Sequence, residues 1–110
     1  MLPKTDTHSV EFDAEGFLKN LADWDQGVAV NIAALENISL IDAHWEILNL
    51  AREFYRIYEL SPSMRALVKY TERVLGTEKG CSIYLLQLFP SSPAKLVCKI
   101  AGLPKPANCL

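Results

Sequence analysis

The chain has no aspartate or glutamate after Glu78, so its last stretch, residues 79–110, carries positive charge only. Other absences narrow the function classes. No apolar run approaches the roughly 20 residues of a membrane span, and the opening Met1-Leu2-Pro3-Lys4-Thr5-Asp6 lacks the charged and apolar regions of a secretory signal. A cytoplasmic location is therefore expected, with cysteines held mostly reduced. Cys81, Cys98 and Cys109 fit no zinc spacing, and His8 and His44 form no paired-ligand pattern. No metal is expected. There is no P-loop, dinucleotide fingerprint or nucleophile elbow, hence no expected cofactor. Internal repeats and low-complexity linkers are also absent.

The 110 residues, half of them apolar and 22% charged, suit one soluble domain over 1–110. The formal net charge of -2 hides an asymmetry. Residues 1–64 hold four Lys/Arg against eleven Asp/Glu, a balance of -7; residues 65–110 hold seven against two, a balance of +5. A basic half beside an acidic one suits docking on a polyanion or an acidic protein surface, although an unevenly charged solvated surface accounts for it as well.

The pattern predicts a mainly α protein: a small orthogonal bundle of about five helices, an N-terminal β-hairpin and a mobile C-terminal arm over 102–110. Val10 to Leu18 alternates apolar and polar residues and turns near Gly16, as a short hairpin would. A first helix is expected from Asp23 or Asp25 to about Glu36, before Asn37 and Ser39 break the pattern. The strongest amphipathic run, Ile41 to about Glu59, repeats Trp45, Leu48, Ala51, Phe54, Tyr55 and Tyr58 at three- and four-residue steps, capped by Ser39 or Asp42. A third helix is expected from Ser61-Pro62 to Gly76, a fourth over 80–89, and a short fifth from Ser92-Pro93 to Gly102. Pro104 and Pro106 then forbid further helix.

The chemistry-bearing residues lie in that tail. Cys109 is a thiol one residue from the chain end, with Lys99 and Lys105 in the same stretch favouring the thiolate and the α-carboxylate of Leu110 opposing it. It reads as a swinging sulfur arm. Gly102 is the expected hinge, and Pro104 and Pro106 stiffen the roughly 26–29 Å that eight extended residues span. Cys98, in the last turn of the fifth helix, is either a core residue or a second thiol for Cys109. Continued helix would hold the two about 16 Å apart, so pairing needs the tail to fold back at Gly102. Cys81 opens the fourth helix and reads as a packing or surface position, and His44 and Trp45 as packing residues. Arg65, Lys69 and Arg73 share one helix face. Arg65 and Lys69 are candidate partner contacts with Lys99, and all three cations of the face support a rival reading as a helix-turn-helix nucleic-acid-binding regulator.

Taken together, these segments resemble the DsrC/TusE family. The resemblance rests on Asp13-Ala14-Glu15-Gly16-Phe17-Leu18, Ala43-His44-Trp45-Glu46, Arg52-Glu53-Phe54-Tyr55, Ser61-Pro62-Ser63-Met64-Arg65 and Gly76-Thr77-Glu78-Lys79-Gly80. It continues through Leu88-Phe89-Pro90 and, most specifically, Lys99-Ile100-Ala101-Gly102-Leu103-Pro104-Lys105-Pro106 followed by Cys109. It implies a sulfurtransferase in which Cys109 accepts a persulfide sulfur and passes it on. In the TusE branch the donor is a TusBCD complex, and the acceptor an MnmA thiouridylase with its tRNA. In the DsrC branch two tail cysteines serve dissimilatory sulfite reductase. Cys98 matches the second DsrC cysteine. Leu48-Asn49-Leu50, Ser92-Pro93-Ala94-Lys95-Leu96 and the ending Pro106-Ala107-Asn108-Cys109-Leu110 look more like TusE, the branch favoured here. Position 81 is usually asparagine in the family.

Overall fold

A computed structural model of the chain describes residues 10–107. It contains five α-helices: α1 Gln26–Leu35, α2 Asp42–Tyr58, α3 Met64–Leu75, α4 Ser82–Leu88 and α5 Pro93–Ile100, preceded by a 3-10 turn at Leu21–Asp23. Among the described residues no helix is long and apolar enough to cross a membrane.

Three of the helices, α1, α2 and α3, start where a side chain satisfies an otherwise unpaired backbone N–H. Asp25 caps α1, its Oδ1 accepting from Val28 N at 2.8 Å. Ser63 caps α3 by accepting from Ala66 N. That start lies two residues past the expected Ser61-Pro62, because Pro62 is fully buried in the core and the Ser61 hydroxyl donates to Pro104 O instead. Neither Ser39 nor Asp42 caps α2. Ile41 is the cap residue, and the Nδ1 of His44 accepts its backbone N–H at 3.1 Å. That hydrogen bond leaves Nε2 as the protonated nitrogen of the neutral ring, and it donates to Leu88 O at 2.9 Å. His44 is thus a buried brace between α2 and α4, edge-on to Phe89. α1 is closed off just past its end by Asn37, in the left-handed region at φ 63°, with Ile38 N bonded to Ala33 O and Asn37 N to Ala34 O.

The hub is α5, which packs against each of the other four helices. Six of its eight residues are buried, among them Val97, Cys98 and Ile100 at 0% exposure. Ile47 and Leu48 of α2, Leu67 of α3, and Leu85 and Phe89 of the α4 region complete the core around it. Burying an Ile or Leu side chain of this size is worth roughly 1.5–3 kcal/mol.

The expected N-terminal β-hairpin does not form. Among the described residues there is no strand, only a single antiparallel bridge between Phe12 and Leu18. The cause is Asp13. Its Oδ1 accepts from the backbone N–H of both Glu15 and Phe17, at 2.9 Å each, and folds the segment into a side-chain-closed turn with Gly16 at φ 91°. Phe17 and Leu18 are then both buried, where a half-buried strand would have pointed one outward.

Candidate functional site

The end of α5 and the segment after it are held by residues from distant parts of the chain. A helix leaves its last carbonyls unpaired, and here each finds a donor. Gly102 N donates to Lys99 O at 3.2 Å and Leu103 N to Cys98 O at 2.9 Å, a Schellman cap with Gly102 at φ 77°. The Trp24 indole N–H donates to Ile100 O at 2.9 Å, and the Arg52 guanidinium to Ala101 O at 2.7 Å. Arg52 also lies flat over Trp24, its Cζ 3.8 Å from the ring centroid, a cation–π stack. Burial pulls the Arg52 pKa below its usual value, yet a guanidinium stays charged in any case.

Beyond Gly102 the chain stays on the body as far as Pro106. Leu103 is 3% exposed and Pro106 is buried. The Ser61 hydroxyl donates to Pro104 O at 2.6 Å, and Lys105 pairs with Glu15 at 3.0 Å. Gly102, expected as the hinge, is itself buried: an added Cβ would run into the Trp24 ring. Among the described residues of the arm expected to move, 102–106 are seated on the body. Ala107, exposed, stands on the rim of a groove of about 350 Å³ lined by Ser63, Met64, Leu86, Ser92 and Pro93. Cys109 lies outside the described residues, two positions past Ala107, a span of at most about 7 Å.

The remaining candidates fall in different places. Cys98 is fully buried on the inner face of α5, its Sγ 3.9 Å from Pro62 O. Lys99, expected to face a partner, is only 11% exposed. It pairs with Glu36 at 2.9 Å and lies over the Phe17 ring. Arg65 and Lys69 are exposed on α3, Lys69 beside a shallow aromatic groove with Tyr58 and Tyr70. Cys81 is the cap residue of α4, with its Sγ toward Glu78 O. Among the described residues no group of three His, Cys, Asp or Glu side chains is set to hold a metal. Sequence reasoning missed Trp24, Arg52, Ser61 and Glu15 as the holders of the tail. Three of them stand in the family-like segments, but their partners lie 43 to 90 residues away, and spacing cannot reveal such pairs.

The class this describes is a small helical protein that seats its own C-terminal segment over the end of a central helix and carries a cysteine just past that seat. The chain belongs to the DsrC-like family: the family model described as DsrC like protein matches residues 4–110. It is 48% identical over 101 residues to the sulfurtransferase TusE of Photorhabdus laumondii, covering 92% of this chain and 91% of that protein. Its fold is similar to the NMR structure of Allochromatium vinosum DsrC, with a TM-score of 0.86 and 47% identity over 96% of this chain and 94% of that one. It is also similar to the crystal structure of the oxidized gamma-subunit of dissimilatory sulfite reductase from Archaeoglobus fulgidus, with a TM-score of 0.78 and 35% identity over 92% of each. Membership of this family carries a sulfurtransferase role.

Proposed function

We propose that the chain is a TusE-type sulfur carrier whose Cys109 takes a persulfide sulfur from a TusBCD-like donor and hands it to an MnmA-like thiouridylase with bound tRNA. It works in the cytoplasm as a single domain. The Cys109 thiolate attacks the outer sulfur of the donor persulfide. The donor's S–S bond breaks, its thiolate leaves, and Cys109 becomes a persulfide; the exchange is redox-neutral. The same displacement by an acceptor thiol unloads it.

The observation that carries the reading is the burial of Cys98 beside a chain held on the body as far as Pro106. The chain is anchored as far as Pro106, three positions before Cys109 in the sequence, while Cys98 is fully buried. A buried thiol has no access to a partner's sulfur. One thiol then suffices, as in the TusE branch. In this arrangement Trp24, Arg52, Ser61 and Glu15 position the base of the tether, and Lys105 holds it against Glu15 rather than pointing to solvent alone.

The DsrC reading has one observation in its favour, the presence of Cys98 at the second cysteine position. It requires the Sγ of Cys98, buried in this fold, to bond a tail sulfur. The test is 2-thiouridine in tRNA from strains carrying single variants. Cys109→Ser is expected to abolish the modified base and Cys98→Ala to preserve it. Loss of the base with Cys98→Ala, the protein still folded, would favour the two-thiol chemistry instead.

A further inference from the structure

Helices α2 and α3 leave an aromatic cleft beside the C-terminal end of α2. Phe54 and Tyr58 stand one turn apart on α2 with ring centroids 4.6 Å apart, and Tyr70 of α3 meets Phe54 edge-on at 5.3 Å. Phe54 and Tyr70 are buried, whereas Tyr58 keeps 48% of its surface exposed. Ala66, Lys69 and Arg73 complete a groove of about 200 Å³ with these three rings. Positions 66, 69, 70 and 73 follow the three- and four-residue spacing of one helix face. The fold thus brings two cations and three aromatic rings to one place.

These cations are not engaged by the protein itself. Lys69 and Arg73 are exposed, and among the described residues neither makes an ion pair or a hydrogen bond. Arg56, Lys79, Lys99 and Lys105, by contrast, each hold a carboxylate. No acid lines the groove. Glu59 follows Tyr58 past the end of α2, and the chain at Gly80 packs on the backbone of Glu72, where an added Cβ would collide. A lone surface cation is satisfied by water, but here a half-exposed tyrosine ring lies beside two of them.

An aromatic face beside free cations suits an unstacked nucleobase with its neighbouring phosphates: the base stacks on the ring and the cations meet the backbone. A duplex keeps its base faces inside the stack, and an acidic peptide would answer the charges but not the ring. We infer that the groove of Phe54, Tyr58, Lys69, Tyr70 and Arg73 binds single-stranded nucleic acid, with one base against Tyr58 and adjoining phosphates on Lys69 and Arg73. Under the sulfur-relay reading, on which this step rests, the strand is an unpaired loop of the tRNA presented by the acceptor. Helix α3 ties the groove to the tail. Ser63 and Met64 at its start line the groove where Ala107 stands, and Ala66 and Lys69 line this one. RNA held here lies close to where the tail leaves the body.

The experiment titrates the isotope-labelled full-length chain with hexauridylate RNA and follows backbone amides by NMR, which reads weak binding. Saturable shifts are expected at Tyr58, Ala66, Lys69, Tyr70 and Arg73. The double variant Lys69→Ala/Arg73→Ala should weaken binding about tenfold and flatten the salt dependence by roughly 0.7 in log–log slope for each cation removed. Tyr58→Leu should weaken binding about fivefold or more with the slope unchanged. Thermal unfolding checks both variants, and the double variant alters exposed positions alone, so it decides the matter if Tyr58→Leu does not fold. No saturable shift at the groove, or wild-type affinity in either folded variant, would overturn the inference. So would equal affinity for a duplex DNA hairpin or for hexaglutamate. Unchanged 2-thiouridine in a strain carrying the double variant would remove tRNA as the occupant. Sulfur uptake at Cys109 from a small-molecule persulfide is scored separately. If uptake fails while hexauridylate binds, the carrier reading falls and the groove stands; if uptake is normal and the groove is silent, only the groove falls.

Discussion

Gly102 shows how one residue can be required twice. Its φ of 77° favours glycine, and its missing side chain leaves the space that the Trp24 indole fills. Gly102→Ala should therefore cost about 2–4 kcal/mol of stability in urea unfolding, more than a left-handed cap alone would explain. A loss below about 1 kcal/mol would mean that Trp24 moves aside freely. Asp13 makes a subtler contribution. Its carboxylate is held below the usual aspartate range chiefly by the Phe17 N–H, which outweighs the opposing desolvation, with smaller help from the N–H groups of Glu15 and Gly16 and from Lys19. A depressed folded pKa stabilises the fold above the unfolded value, about 3.9. That stabilisation is lost as pH falls through the lower folded value. Asp13→Asn should flatten the acid limb of the stability curve below about pH 4; an acid limb parallel to that of wild type would contradict this.

At the scale of elements, the sequence was informative where signals were local. The amphipathic run of α2, the Asp25 cap, the Pro93 start and the Gly76 and Gly102 stops all rest on side chains within one or two turns of the backbone they serve. It misled where a side chain was claimed from elsewhere. Ser61 looks like a helix cap but is drawn to Pro104, and the Val10–Leu18 alternation looks like a hairpin but is closed by the Asp13 carboxylate. The seating of the tail was illegible for the same reason, since Trp24 and Arg52 reach it across the fold. One element carries an internal cost. Thr71 of α3 is fully buried, and among the described residues its hydroxyl has no hydrogen-bond partner. Thr71→Val keeps the shape and removes the unpaired group, so it should raise stability by about 1 kcal/mol. A decrease on thermal unfolding would show that the hydroxyl is satisfied.

For the whole molecule, the consequence of the α5 hub is that the tail begins from a fixed point. Arg52 and Trp24 join α2 and the 3-10 turn to the last carbonyls of α5, and Ser61 and Glu15 hold the next residues. Arg52→Ala should release this junction, costing about 2 kcal/mol and speeding hydrogen exchange at the amides of Gly102 and Leu103 far more than in α3. Uniformly faster exchange would indicate global destabilisation instead. The two halves of opposite charge meet at this junction, where Lys105 of the basic half pairs with Glu15 of the acidic half and Lys99 with Glu36.

The central claim is that Cys109 alone carries the sulfur while Cys98 belongs to the core. It is tested most directly by mapping transferred sulfur with intact-mass and peptide mass spectrometry after incubation with a persulfide donor. Wild type and Cys98→Ala should each gain the mass of one sulfur atom on the peptide containing Cys109, and Cys109→Ser should gain none. Sulfur retained by Cys109→Ser on Cys98 or Cys81, or a sulfur bridge joining Cys98 to Cys109 in the folded wild-type protein, would contradict it.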